Sequence, residues 1–200
     1  MILRIIFTTF VVLIFLYVFW RRLKEDYTQN QIFTCGFYIL LGLVIGSIIA
    51  DAFAPLWFFW LSFSGAVAGM LLGVYRFKLR IFEVLEASVI GALVLLSATY
   101  TFDWITTKNI FSALGALAVV ILMIFYALLN KHYKRFTWYK SGKVGFSGMM
   151  TLGIFFLIRT IIAILLPHML SFVGSIDAVI SGTLSFLAFI TLYNLAGQTQ

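Results

Sequence analysis

Residues 60 to 70 read WLSFSGAVAGM, two serines and two glycines set among aromatic and aliphatic neighbours. Serines in that company suit a reaction centre; glycines suit a tight seam between helices. The surroundings decide which medium the stretch belongs to. On both sides the chain stays apolar from about residue 56 to residue 75, roughly the 20 residues a helix needs to cross a hydrocarbon core.

Working outward, the same pattern recurs along the chain. Seven apolar windows, at approximately 2 to 20, 32 to 54, 56 to 75, 81 to 102, 110 to 129, 144 to 166 and 176 to 193, are separated by short polar breaks. The 200 residues are 63% apolar and only 10% charged, a balance that no ordinary water-soluble domain has. The chain contains two prolines, which fits long unbroken helices, since lipid cannot replace a backbone hydrogen bond that an interior proline deletes. The expected fold is an all-α bundle of seven transmembrane helices forming one domain over residues 1 to 200. Arg21 and Arg22 follow the first apolar run directly, with no small-residue cleavage site after them, so that run is expected to remain as an anchor.

A net charge of +7 raises nucleic acid as a partner, but the cations sit in short clusters between apolar runs. Arg21, Arg22 and Lys24, then Arg76, Lys78 and Arg80, then Lys131, Lys134, Arg135, Lys140 and Lys143 all fall on one side of a seven-span topology. The opposite side receives Arg4 and Lys108, and Arg159 lies within a span. By the positive-inside rule the amino terminus faces out and the carboxyl terminus faces the cytoplasm, and no nucleic-acid partner is expected. The segment NKHYKRFTWYKSGK, residues 130 to 143, mixes cations with aromatic rings and suits an interfacial strip on anionic headgroups. The outer connections are short: around Pro55, from Asp103 to Asn109 and from Pro167 to Ser175.

Small residues recur at helical spacing: Gly42 and Gly46, then Gly65, Gly69 and Gly73, then Ser181 and Ser185. Little hydrophobic drive acts between helices in lipid, so close backbone approach along such faces holds a bundle together. Gly42, Gly46, Gly69 and Gly73 are therefore read as packing positions. Charges at membrane depth point to function, because each costs about 2.5 to 3.5 kcal/mol on the lenient insertion scale. Arg159, in GIFFLIRTIIAILL, either grips a lipid phosphate or carboxylate, snorkels outward, or pairs with Asp51 near the outer end of the second span. Glu83 and Glu86 share a face at the start of the fourth helix, where capping and salt links to Lys78 and Arg80 are expected. His132 and His168 fall in loops on opposite sides, and Cys35 lies within an apolar run as a packing residue. No metal-ligand spacing or cofactor motif is present, so no metal and no cofactor are expected.

The order of these features resembles the prolipoprotein diacylglyceryl transferase family of bacterial inner-membrane enzymes. RRLKEDYTQNQIFTCGFYILLGLVIGSIIADAF is similar to the family's basic turn and glycine-bearing second helix. LSFSGAVAGMLLGVYRFKLRIFEVLEASVIGAL resembles its Ser-Phe-His-Gly-Gly segment, basic turn and acidic helix start. KSGKVGFSGMMTLGIFFLIRTI and IDAVISGTLSFLAFITLYN resemble the last two helices. The resemblance implies phospholipid binding, phosphatidylglycerol above all, and transfer of diacylglyceryl to the lipobox cysteine of a lipoprotein precursor if the chain is active. It places Arg159, Asp51, Ser62, Ser64 and Gly65 as headgroup candidates. The family's catalytic pattern is departed from: Ser64 stands at the histidine position, Ile48 at that of an arginine, and ALVLLSATYTFDW lacks the arginine, asparagine and glutamate of the family signature. The outer head segment is missing too, and Arg159 is only a candidate replacement for the family's helix-six arginine. Two other readings stay open: an inactive assembly module that holds another membrane protein, and a small-solute carrier.

Overall fold

A computed structural model describes residues 2–132, 145–165 and 175–197. Seven helices follow in order: α1 (Ile2–Leu23), α2 (Gln29–Phe53), α3 (Phe58–Phe77), α4 (Ile81–Thr107), α5 (Ile110–His132), α6 (Phe146–Leu165) and α7 (Ser175–Gly197). A single 3₁₀ turn, Pro55–Trp57, leads into α3, with Pro55 at its first position, where the missing N–H costs nothing. Each helix is long and apolar enough to cross a membrane. The described residues contain no strand. The protein is a multi-pass membrane bundle.

Several helices outrun the apolar windows because polar end residues extend them, whereas α6 falls within its window. Gln31 accepts the Thr28 backbone N–H at 3.1 Å and closes the start of α2, three residues ahead of the expected boundary. The connection expected from Asp103 to Asn109 is largely helical. Thr107 donates to the Asp103 carbonyl at 2.8 Å, and Asp103 also accepts from Ser112 of α5, so α4 continues to Thr107. Lys108 then turns the chain in the left-handed conformation at φ 55°, its N–H bonded to the Trp104 carbonyl at 2.9 Å. Lys78 ends α3 in the same way at φ 52°, and Leu79 N–H reaches back to the Val74 carbonyl at 3.1 Å.

α4 is the hub, packing on α1, α3, α5 and α6. α2 lies along α3, and α7 lies along α6. A methyl added at Gly42 would strike the Gly65 carbonyl oxygen, one at Gly46 the Leu61 carbonyl and one at Gly69 the Tyr38 carbonyl. Backbone therefore touches backbone down the α2–α3 seam, which only glycine permits, and Gly73 closes over Cys35. Phe15 and Phe19 of α1 fill the core between α2 and α4, with Ile32, Cys35 and Val84. A second column joins α4, α5 and α6 through Val89, Leu93, Val119 and Leu122, with Phe155 and Ile158 packed on it. Large apolar side chains such as Phe53, Leu72 and Tyr75 point outward, as a surface facing lipid should.

Candidate functional site

Asp177 is the third residue of α7, where a carboxylate meets the positive end of the helix. Its side chain is fully buried. Arg159, six residues before the end of α6, grips it with two parallel bonds: Nε to Oδ1 at 3.0 Å and Nη2 to Oδ2 at 2.8 Å. Ser181, one turn further along α7, donates to Oδ1 at 3.1 Å, and the Trp60 indole N–H of α3 donates to Oδ2 at 3.2 Å. The guanidinium lies 3.7 Å from the centre of the Phe59 ring and 5.5 Å from that of Trp60. A buried ion pair holds only if its remaining polar groups are also met, and here Ser181 and Trp60 bond both oxygens of Asp177.

Below this pair the seam between α3 and α6 is filled with rings. Trp60 stacks on Phe156 with centroids 6.0 Å apart, Phe63 meets Phe156 edge-on at 5.4 Å, and Phe59 lies 6.4 Å from Phe155. Polarity thus falls from a charged, indole-capped end to an aromatic interior within two helical turns.

The headgroup candidates are not gathered at this place. Arg159 takes Asp177 as its partner, whereas Asp51 is exposed at the end of α2. The pairing expected with Asp51 is corrected accordingly: α6 packs beside α7 rather than α2, so Asp177 is the carboxylate within reach. Arg159 is 6% exposed, which excludes snorkelling to the surface. Ser64 is exposed on the same face of α3 as Ala68, Leu71 and Tyr75, which follow it at helical spacing. Gly65 abuts Gly42, and Ser62 is buried beside Gly46. Trp60, Asp177 and Ser181 are the members of the site that sequence reasoning missed. The available signal was depth: Asp177 near the start of one span is level with Arg159 near the end of the preceding one.

A second polar cluster occupies the opposite end of the bundle, among the basic turns. Glu86 is fully buried, and Arg22 of α1, whose side chain is 26% exposed, meets its Oε1 at 2.7 Å. Tyr126 of α5 donates to the same oxygen at 3.2 Å, and the Gly145 backbone N–H at the start of α6 donates to Oε2 at 3.2 Å. Glu83 does pair with Arg80, at 3.1 Å, but Glu86 takes its cation from α1 instead of from the adjacent turn. Glu83 also accepts from Tyr27 at 2.6 Å, and Tyr27 in turn accepts the Arg80 backbone N–H at 3.0 Å, tying the α1–α2 turn to the α3–α4 turn. Burial, and then the Glu83 carboxylate, push the Tyr27 phenol above its ordinary pKa.

His132 rests against the Leu128 carbonyl at 3.1 Å. His168 and the strip from Tyr133 to Lys143 lie outside the described residues. No group of three His, Cys, Asp or Glu side chains placed to hold a metal occurs among the described residues. Compared with protein-family models, with curated proteins and with solved structures, the chain matches none.

Proposed function

We propose that the protein is a bacterial inner-membrane phospholipid-binding protein of the prolipoprotein diacylglyceryl transferase type, which retains phosphatidylglycerol without transferring its diacylglyceryl group. The observation that carries this is the polarity gradient along the α3–α6 seam. An Arg159–Asp177 pair capped by Trp60 stands above the rings of Phe59, Phe63, Phe155 and Phe156. A phospholipid has the same order of chemistry from headgroup to acyl chain, and aromatic rings accept acyl chains without leaving voids.

Transfer would require a base near the acceptor thiol and a cation free to hold the leaving phosphoglycerol. Ser64, at the position of the family's histidine, faces outward, and Arg159 already holds a carboxylate through two bonds. Both features count against transfer. The test incubates purified protein with radiolabelled phosphatidylglycerol and a lipobox peptide, and in parallel measures bound lipid by native mass spectrometry. Retained phosphatidylglycerol with an unlabelled peptide is the expected result. Label on the peptide would overturn the non-catalytic part, and protein free of lipid would overturn the binding part. Replacing both Phe59 and Phe63 with alanine should strip most of the retained lipid.

A further inference from the structure

Helical hydroxyls in this bundle satisfy themselves in a regular way. Thr99, Thr101, Thr160, Thr183 and Thr191 each donate to the carbonyl four residues earlier, at 2.7 to 2.8 Å. Ser147 and Thr151 of α6 break the pattern. Both are fully buried, and neither hydroxyl has a hydrogen-bond partner among the described residues. The side-chain oxygen of Asn130 on α5 is buried and unpartnered as well.

Helical spacing turns these three toward one seam. Thr151 shares its helix face with Phe155 and Ile158, which pack on the α4–α5–α6 column, and Ser147 precedes it by one turn on that face. Tyr126 stands one turn beyond Leu122 of the same column, and Asn130 one turn beyond Tyr126. On α4, Glu86 lies one turn before Val89. Gly145 and Gly148, on either side of Ser147, both touch Glu86: one by its N–H, the other so closely that an added methyl would come within 2.8 Å of the Glu86 Cα. The column is thus apolar at mid-depth and topped, at the end with the basic turns, by hydroxyl, amide, phenol and carboxylate groups.

We infer that this polar cap is a hydration site, in which water bridges Ser147, Thr151 and Asn130 beside Glu86. The chemistry selects water over an ion. Hydroxyls that both give and take, together with an amide oxygen that only takes, suit a molecule with two donors and two acceptors. Arg22 at 2.7 Å from Glu86 already neutralises the carboxylate, so an added cation would leave a net positive charge in a low-dielectric interior. An anion would meet Glu86 itself. The partly exposed Arg22 side chain marks the side from which water enters. Nothing in this inference depends on lipid binding.

The test is Thr151→Val, which keeps the shape and deletes the hydroxyl. In a dry site an unpartnered hydroxyl opposes folding, and the valine variant unfolds at the same or a higher temperature than the parent. With bridging water, the midpoint in detergent falls by several degrees. Ser147→Ala falls similarly, and the double variant loses clearly less than the sum of the two, because both hydroxyls hold the same water. A midpoint that is unchanged or raised, or losses that add in full, would overturn the inference. So would a sodium- or potassium-dependent rise in midpoint that Thr151→Val abolishes, since the occupant would then be a cation. X-ray footprinting, which labels side chains beside bound water, should modify residues of this cap in the parent and fewer of them in the double variant; equal labelling of both also counts against it.

Discussion

At the scale of single residues, the most exacting demand is the one Arg159 makes on Asp177. Removing one member of a buried pair strands the other charge, at a cost of about 3–5 kcal/mol, whereas replacing both with apolar groups is often neutral. Asp177→Asn and Arg159→Met are therefore each expected to lower stability severely. Arg159→Met combined with Asp177→Leu should recover most of the loss, as read by denaturant unfolding in micelles. Tyr27 provides a gentler probe. Its pKa is raised in the folded protein, so its stabilising bond to Glu83 is complete below the ordinary phenol pKa of about 10 and is lost as pH rises through the folded value. The difference in unfolding midpoint between parent and Tyr27→Phe should stay level from pH 7 to about 10 and shrink above that. A difference that grew with alkalinity would contradict the assignment.

At the scale of elements, the α2–α3 seam makes a contrast that one substitution type can read. Gly42→Ala and Gly65→Ala drive a methyl into backbone, which cannot swing aside. Each should cost about 1–3 kcal/mol or more and separate the two helices. At Gly182 an added methyl would meet Thr160 at 3.6 Å, an ordinary contact, so Gly182→Ala should be neutral or gain up to about 1 kcal/mol from helix propensity. Thermal unfolding of the three variants checks the ordering. These elements were legible in the sequence because spanning a bilayer requires a run of apolar residues that nothing else in a chain imitates. The glycine faces were legible for a related reason, as lipid leaves close approach as the main way to join helices. The ends of α2, α4 and α5 were not, because Gln31, Thr107 and His132 extend a helix by local hydrogen bonds that hydropathy does not register.

At the scale of the whole molecule, two buried ion pairs among the described residues lie near opposite ends of the bundle: Arg22–Glu86 among the basic turns, Arg159–Asp177 at the far end. From the charge count we propose that the first lies at the cytoplasmic face, with the amino terminus outside. Single-cysteine labelling at Lys24, Lys78 and Lys131 should need a permeant reagent, whereas Lys108 should react with an impermeant one. The reverse pattern would invert the topology. Partner choice was beyond sequence reading because it depends on which helices become neighbours. Arg159 chose Asp177 over Asp51 because α7 and not α2 lies beside α6, and Glu86 chose Arg22 because α1 crosses α4. The spacing of Ser64 from Ala68, Leu71 and Tyr75 sets all four on one face of α3, but which way that face looks depends on the helices packed beside it.

The order of the charges along the chain also bears on how the molecule is made. Arg159 leaves the ribosome 18 residues ahead of Asp177. The sixth helix therefore reaches the insertion machinery before the carboxylate that Arg159 grips, and its release into lipid is expected to follow the arrival of the seventh. A nascent chain halted just before Ser175 should remain cross-linkable to the translocation channel, and one extended past Ser181 should let go.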